Sequence, residues 1–223
     1  MPTYQLISRI AKEACTVPTG VAIRYVREQL FDAAERVLLR DGPNALTSRA
    51  VTTEAGFAKG VLHRHFTDFD AFLTELVLDR IARIDDQAAA LRGSAGTGTV
   101  TGNLTGALTA LFGSAGVAIV ALIISRDNLR ARVRQARPAG VPLLAEATAM
   151  IASYLTAERE LGRIAADADV DTLAPMLIGT GHLLFAGREG SPPEPGAVDK
   201  VVTTVIAGTV REPLLSAGPG PRP

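Results

Sequence analysis

From Arg24 onward the apolar positions recur with the period of a helix. Val26, Leu30, Ala33, Val37 and Leu38 lie at i, i+4, i+7, i+11 and i+12, while Arg27, Glu28, Asp32, Glu35 and Arg36 take the opposite side. Gly42 and Pro43 in "RDGPNA" break the pattern. The next run, "LTSRAVTTEAG", predicts a short helix capped by Thr47 or Ser48 and ended by Gly56 in a left-handed turn. "AKGVLHRHF" predicts another, Ala58–His65, about 12 Å long. "TDFD" reads as a capping box, with Thr67 as cap and Asp70 reaching back. It opens a long helix over 68–91, with Phe69, Phe72, Leu73, Leu76, Val77, Ile81 and Ile84 on its apolar side.

Five further helices are expected near 101–113, 116–135, 141–161, 170–187 and 196–211, with Gly162 ending one and "GREGSPPEPG" (187–196) separating the last two. No alternating strand pattern and no repeat is found, so the fold class is all-α. The expected organisation is a flexible arm (1–20), a three-helix module (21–67), a connecting helix (68–91), a larger helical domain (92–211) and a disordered tail (212–223). Two short helices joined by a tight glycine turn are the layout of a helix-turn-helix, although an ordinary helical hairpin with solvated charges carries the same pattern.

Composition narrows the function. Hydrophobic residues make up 47% of the 223, enough for a sizeable core, and aromatics only 4%, which suits helices packed through Ala, Leu, Val and Ile. Cys15 is the only cysteine, so no intrachain disulfide or thiolate cluster can form. The first twenty residues are interrupted by Arg9, Lys12 and Glu13, unlike a signal peptide, and a cytoplasmic location is expected. Residues 93–125 carry no charge, but Gly113, Ser114 and Gly116 divide them into two core helices rather than a membrane span. No membrane partner is expected. Neither a nucleophile motif nor a phosphate-binding glycine loop followed by Lys-Ser/Thr is present, which argues against an enzyme with catalytic residues.

Formal net charge is zero, so nucleic-acid binding would have to arise locally. Residues 1–66 hold nine Lys and Arg against six acids. In the second short helix Leu62 and Phe66 face inward, leaving Lys59, Gly60, Val61, His63 and Arg64 outside and His65 at the border. Lys59 suits a phosphate or a guanine edge, Val61 a thymine methyl, and Gly60 a close approach of backbone to DNA. His63 and His65, two apart on a helix, point about 200° apart and cannot share a metal. His182, alone in an apolar helix, is a core histidine or a polar contact to a ligand. No metal and no cofactor is expected.

The stretch "LFDAAERVLLRDGPNALTSRAVTTEAGFAKGVLHRHFTDFDAFLTELV" (30–77) resembles the tetracycline-repressor (TetR) family of bacterial transcriptional regulators. Its matching positions are Ala33, Ala34, Gly42, Thr47, Ala55, Gly56, Lys59, Gly60, Leu62, Arg64, His65 and Phe66. The resemblance implies a DNA-binding module in which Thr47, Ser48, Arg49, Lys59, Gly60, Val61, His63, Arg64 and His65 meet double-stranded operator DNA. Three positions depart from the family: Val61 replaces a usual Thr, His63 a usual Tyr and Phe69 a frequent Lys. An altered operator follows.

The resemblance also implies a homodimer, formed when the last two helices pair with their twofold mates. Leu173, Leu177, Gly181, Leu184, Val198, Val202 and Val205 are the expected contacts, with Gly179 and Gly181 allowing close helix approach. A small-molecule effector pocket is expected among the middle helices, lined by Leu108, Phe112, Ile119, Ile123, Met150, Tyr154 and His182. The uncharged stretch 93–125 suggests a neutral or hydrophobic effector. The implied function is a repressor released from a palindromic operator by that effector. The alternatives are an activator or an effector-independent regulator of the same fold, or a small all-helical cytosolic enzyme. The Arg-rich "SRDNLRARVRQAR" (125–137) is expected to be a solvated helix face.

Overall fold

The computed structural model describes residues 19–113, 115–138, 140–186 and 192–210, with side chains from Arg24 onward. The expected tail, most of the expected arm with Cys15, and the first half of the 187–196 separator lie outside the described residues. Within them are ten helices and no strand, the all-α class expected. An isolated bridge pairs Ile164 with Val210.

The first helix, α1 (Thr19–Asp41), starts five residues before the expected Arg24. It buries Leu30, Phe31, Ala33, Ala34, Val37 and Leu38, the apolar face read from the sequence. Next come α2 (Ser48–Glu54) and α3 (Val61–His65), then the long α4 (Phe69–Gly93). The Thr47 hydroxyl caps α2 by accepting from the Ala50 N–H at 3.1 Å. Gly56 turns the chain at φ +70°. That region is costly for any residue with a Cβ.

The cap of α4 is one residue further on than expected. Asp68, not Thr67, stands in the extended conformation and accepts from the Ala71 N–H at 2.6 Å. This backbone donor holds the Asp68 carboxyl below the usual carboxylate range, with help from Arg132.

Beyond α4 lie α5 (Val100–Phe112), α6 (Gly116–Ser125), α7 (Asp127–Ala136), α8 (Leu144–Glu160), α9 (Val170–Phe185) and α10 (Ala197–Val205). The expected 116–135 helix is two helices, broken at Arg126 (φ −126°, ψ 99°). A tertiary contact goes with the break: Arg126 donates to the Leu46 carbonyl at 3.0 Å and lies over the Phe69 ring. Propensity along a helix is easily overridden by such contacts. The expected last helix stops at Val205, well short of 211.

α4 and α8 form the spine, with α9 against α8, and α10 across both α5 and α9. Their core is continuous with that of the first three helices through Phe72, Leu73, Leu76 and Val77. No single helix among the described residues is long and apolar enough to cross a membrane. α5 and α6 together would reach that length, but they are bent by 52° at their junction.

Candidate DNA-reading surface and effector groove

The α2–turn–α3 unit sits on α1 and α4 through Leu62 and Phe66, both buried. Phe66 packs edge-on against Phe72 at 5.0 Å and meets Phe31 at 5.9 Å. Arg27 of α1 spans the back of the unit. It lies over the Phe66 ring, donates to the His65 carbonyl at 3.1 Å and pairs with Glu75 of α4. These contacts fix the orientation of α3 relative to α4.

α3 is shorter than expected. Ala58 to Gly60 form a turn, and only Val61–His65 are helical. The division of faces is the one expected. Lys59, Gly60, His63 and Arg64 are exposed, and Val61 and His65 are half-buried. Thr47 and Arg49 are exposed on α2, with Ser48 half-buried beside them. Among the described residues Arg49, Lys59 and Arg64 make no ion pair, whereas Arg36 and Arg40 are both held by Glu54. Gly60 has an ordinary negative φ, and a Cβ there would meet nothing within 4 Å. Nothing among the described residues requires glycine at that position.

The arginines of 125–137 are clamps as well as a solvated face, a role that the sequence pattern does not reveal. Arg132 pairs with Asp68 at 3.3 Å and Arg137 with Asp85 at 3.0 Å, both on or beside α4. Arg80 of α4 pairs with Glu35 of α1. Together with Arg126 they tie the first three helices to the larger domain.

In that domain a groove of about 330 Å³ runs between α4 and α5. Leu91, Ala107 and Ala110 give it apolar walls, and Met150 of α8 closes one side. Its polar edge is Gln87, Ser94 and Asn103. Of the expected pocket residues only Met150 lines it. Leu108, Ile119 and Ile123 are packed in the core without exposure, and Phe112 borders a void of about 10 Å³. Tyr154 is also fully buried, one hydrogen bond behind the groove.

That bond belongs to a buried relay. Glu158, fully buried, accepts from the Tyr154 hydroxyl at 2.6 Å, from the Gly96 N–H at 3.3 Å and from Arg163 at 3.4 Å. Tyr154 in turn accepts from the Asn103 amide at 3.0 Å. Burial, and then the bond to Glu158, push the Tyr154 phenol far above its ordinary range, so it stays a donor. His182 rests edge-on to Phe112 with Nε2 buried and unbonded; burial lowers its pKa.

The residues expected to meet a partner chain divide by burial. Leu173, Leu177, Gly181, Val198 and Val202 are buried within the chain itself, and Leu184 and Val205 are half-buried. A Cβ on Gly181 would come within 2.9 Å of Phe112, so that glycine serves internal packing, not a partner. The outward residues of α9 include Met176, Gly179, Thr180 and Leu183, with Leu183 75% exposed.

A short α2–turn–α3 unit presenting unpaired cations, mounted on a long helix that runs into a second helical domain, is the architecture of a helix-turn-helix DNA-binding protein. Residues 30–76 match the model of the bacterial regulatory proteins of the tetR family. Solved structures share its fold. A TetR-family transcriptional regulator from Agrobacterium tumefaciens is 12% identical, with TM-score 0.64, covering 85% of this chain and 100% of its own. The transcriptional regulator FadR from Bacillus subtilis, solved with stearoyl-CoA, is 18% identical with TM-score 0.59, covering 81% and 98%. A gamma-butyrolactone receptor is 20% identical with TM-score 0.61, covering 85% and 90%. No curated protein matches the chain in sequence.

Proposed function

We propose that the protein is a homodimeric transcriptional repressor that leaves a palindromic operator when a small effector binds its larger domain. The observation that carries the DNA half is the set of exposed, unpaired cations Arg49, Lys59 and Arg64 on α2, the turn and α3. An exposed cation with no acid beside it is free to neutralise phosphate and release counterions. Gly60 supports the same reading, since no contact among the described residues calls for its missing side chain. Thr47, Ser48, Val61, His63 and His65 complete the proposed contact surface.

Dimerisation follows from the readout. One helix-turn-helix reads half a palindrome, and two must stand about 34–36 Å apart to enter successive major grooves. The outward stripe of α9, Met176, Gly179, Thr180 and Leu183, is the proposed partner face, in place of the buried residues Leu173, Leu177, Gly181, Val198 and Val202. The effector half is supported by the groove and by the ligands named for two proteins of the same fold, a stearoyl-CoA and a gamma-butyrolactone.

The test is fluorescence anisotropy with the DNA upstream of the gene, at several salt concentrations. Saturable, site-selective binding is expected, with Lys59→Ala weakening it across sequences and reducing the salt slope by about 1. Binding indifferent to sequence and to Lys59→Ala and Arg64→Ala would sink the reading.

A further inference from the structure

The groove between α4 and α5 has a directional polar edge, and the direction comes from Glu158. A carboxylate accepts hydrogen bonds, so Tyr154 must give it its proton. The Tyr154 oxygen is then left to accept, and Asn103 supplies an N–H. The second Asn103 N–H goes to the Thr97 carbonyl at 3.0 Å, which can only accept. The side-chain amide is therefore oriented by chemistry: both of its donors are used, and the carbonyl oxygen remains. Ser94 likewise spends its hydrogen on the Leu91 carbonyl at 2.7 Å, leaving an oxygen that accepts. Gln87 makes no hydrogen bond among the described residues and can serve either way.

The remaining walls are apolar, and among the described residues no charged side chain lines the groove. An anion would meet acceptors without a compensating cation, and burying it so is costly. At about 330 Å³ the groove stands at the lower end of the ~300–1,000 Å³ typical of small-molecule sites.

Gly106 lies in the interior of α5 and lines this groove. A Cβ there would meet nothing within 4 Å. Glycine in a helix interior costs ~1 kcal/mol relative to alanine. No contact among the described residues accounts for that cost, and the absent side chain leaves the groove wider.

We propose that the α4–α5 groove binds a small uncharged molecule with a hydroxyl or N–H donor at one end of an apolar body, the donor meeting Asn103 Oδ1 and Ser94 Oγ. This rests on the effector reading above and names its site and its ligand class. The ligand's donor completes the chain Glu158–Tyr154–Asn103, and its body covers Leu91, Ala107, Ala110 and Met150.

The test uses the full chain and three probes sharing one ring system: 2-naphthol, 2-methoxynaphthalene and 2-naphthoate. The chain has no Trp, so 2-naphthol emission is read without a tryptophan background. 2-Naphthol is expected to bind, with the methyl ether about three- to tenfold weaker, the worth of one neutral hydrogen bond, and the anion weakest. Gly106→Leu and Ala110→Met fill the groove, so both should abolish binding with Tm at or above that of the parent. Equal binding of alcohol and ether, tightest binding of the anion, or 2-naphthol binding unaffected by either folded variant would overturn the assignment. The same samples are titrated against operator DNA. A molecule that releases DNA but binds both groove-filling variants normally overturns the groove and leaves the effector reading standing. Binding of 2-naphthol that is lost in both variants supports the groove, and if no molecule then releases DNA, the effector reading alone falls.

Discussion

The imidazole of His182 has Nε2 buried and unbonded against Phe112, and burial holds its pKa below the ordinary 6.5. The folded chain therefore takes up this proton at lower pH than the unfolded chain does. Stability rises with pH wherever the unfolded state binds more protons. His182 thus removes stability as pH falls below about 6.5, its usual value. The carboxylates held below their ordinary range, Glu54, Asp68 and Asp169, act further down, as they are protonated. Thermal melts followed by circular dichroism should show Tm falling between pH 7.5 and 5, with a shallower fall in His182→Phe. Parallel slopes in parent and variant would exclude His182 as the cause. At the start of α4, Asp68→Ala should lower Tm by ~2–4 °C, the shift typical of losing a helix cap in a chain of this size, while Thr67→Ala leaves Tm in place. The motif "TDFD" offers two candidate caps, and only the backbone conformation selects one. The inward and outward residues of α3 were legible from i, i+4 spacing, because Leu62 and Phe66 are its large apolar residues. Glu158 was not legible. In "YLTAERELGR" it stands among charges like any solvated acid, and its burial depends on Gly96 and Asn103, more than fifty residues away in sequence.

At the scale of elements, apolar periodicity located the helices but did not say what covers each face. α9 shows why. Leu173, Leu177 and Gly181 recur every four residues and read as one seam, and that seam faces the chain's own α8 and α5. The next stripe round, Met176, Gly179 and Leu183, is left outward. Two substitutions separate the faces. Leu177→Ala should cost about 2–5 kcal/mol in urea unfolding, as for other buried leucines, because the cavity it leaves lies inside the chain. Leu183→Arg places a charge in the proposed seam between chains. Light scattering on the eluting protein should show monomers, with helicity retained and operator affinity reduced. A Leu183→Arg dimer of unchanged mass would exclude this face as the partner surface. The break between α6 and α7 was hidden for a related reason. "GVAIVALIISRDNLRARVRQA" is helix-compatible throughout, and the break at Arg126 is tied to the distant Leu46 carbonyl.

For the whole molecule, α4 is the one element common to both proposed sites. Gln87 and Leu91 of its C-terminal part line the groove, while Phe72 and Glu75 of its N-terminal part hold α3 through Phe66 and Arg27. A ligand shifts DNA affinity only by its differential binding to two arrangements of these parts. Coupling between the sites requires the first three helices to follow the larger domain, and Arg126 ties them through the Leu46 carbonyl, besides lying over Phe69 at the start of α4. It joins the α6–α7 junction to the loop before α2 through Leu46. Arg126→Ala removes that tie and touches neither Asn103 in the groove nor Lys59 on the turn. Operator affinity without ligand, and 2-naphthol affinity without DNA, should therefore stay within about twofold of the parent, as for a substitution outside both sites. The ligand-induced loss of operator affinity should shrink toward the lower end of the ~5- to 150-fold range usual for such coupling. Anisotropy titrations with and without saturating ligand measure all three quantities. An undiminished ligand effect in Arg126→Ala would mean that the signal runs through α4 or through the direct contact of α1 with α6, and Glu75→Gln, which weakens the hold of α4 on Arg27, would then separate the two: coupling lost in that variant assigns the signal to α4.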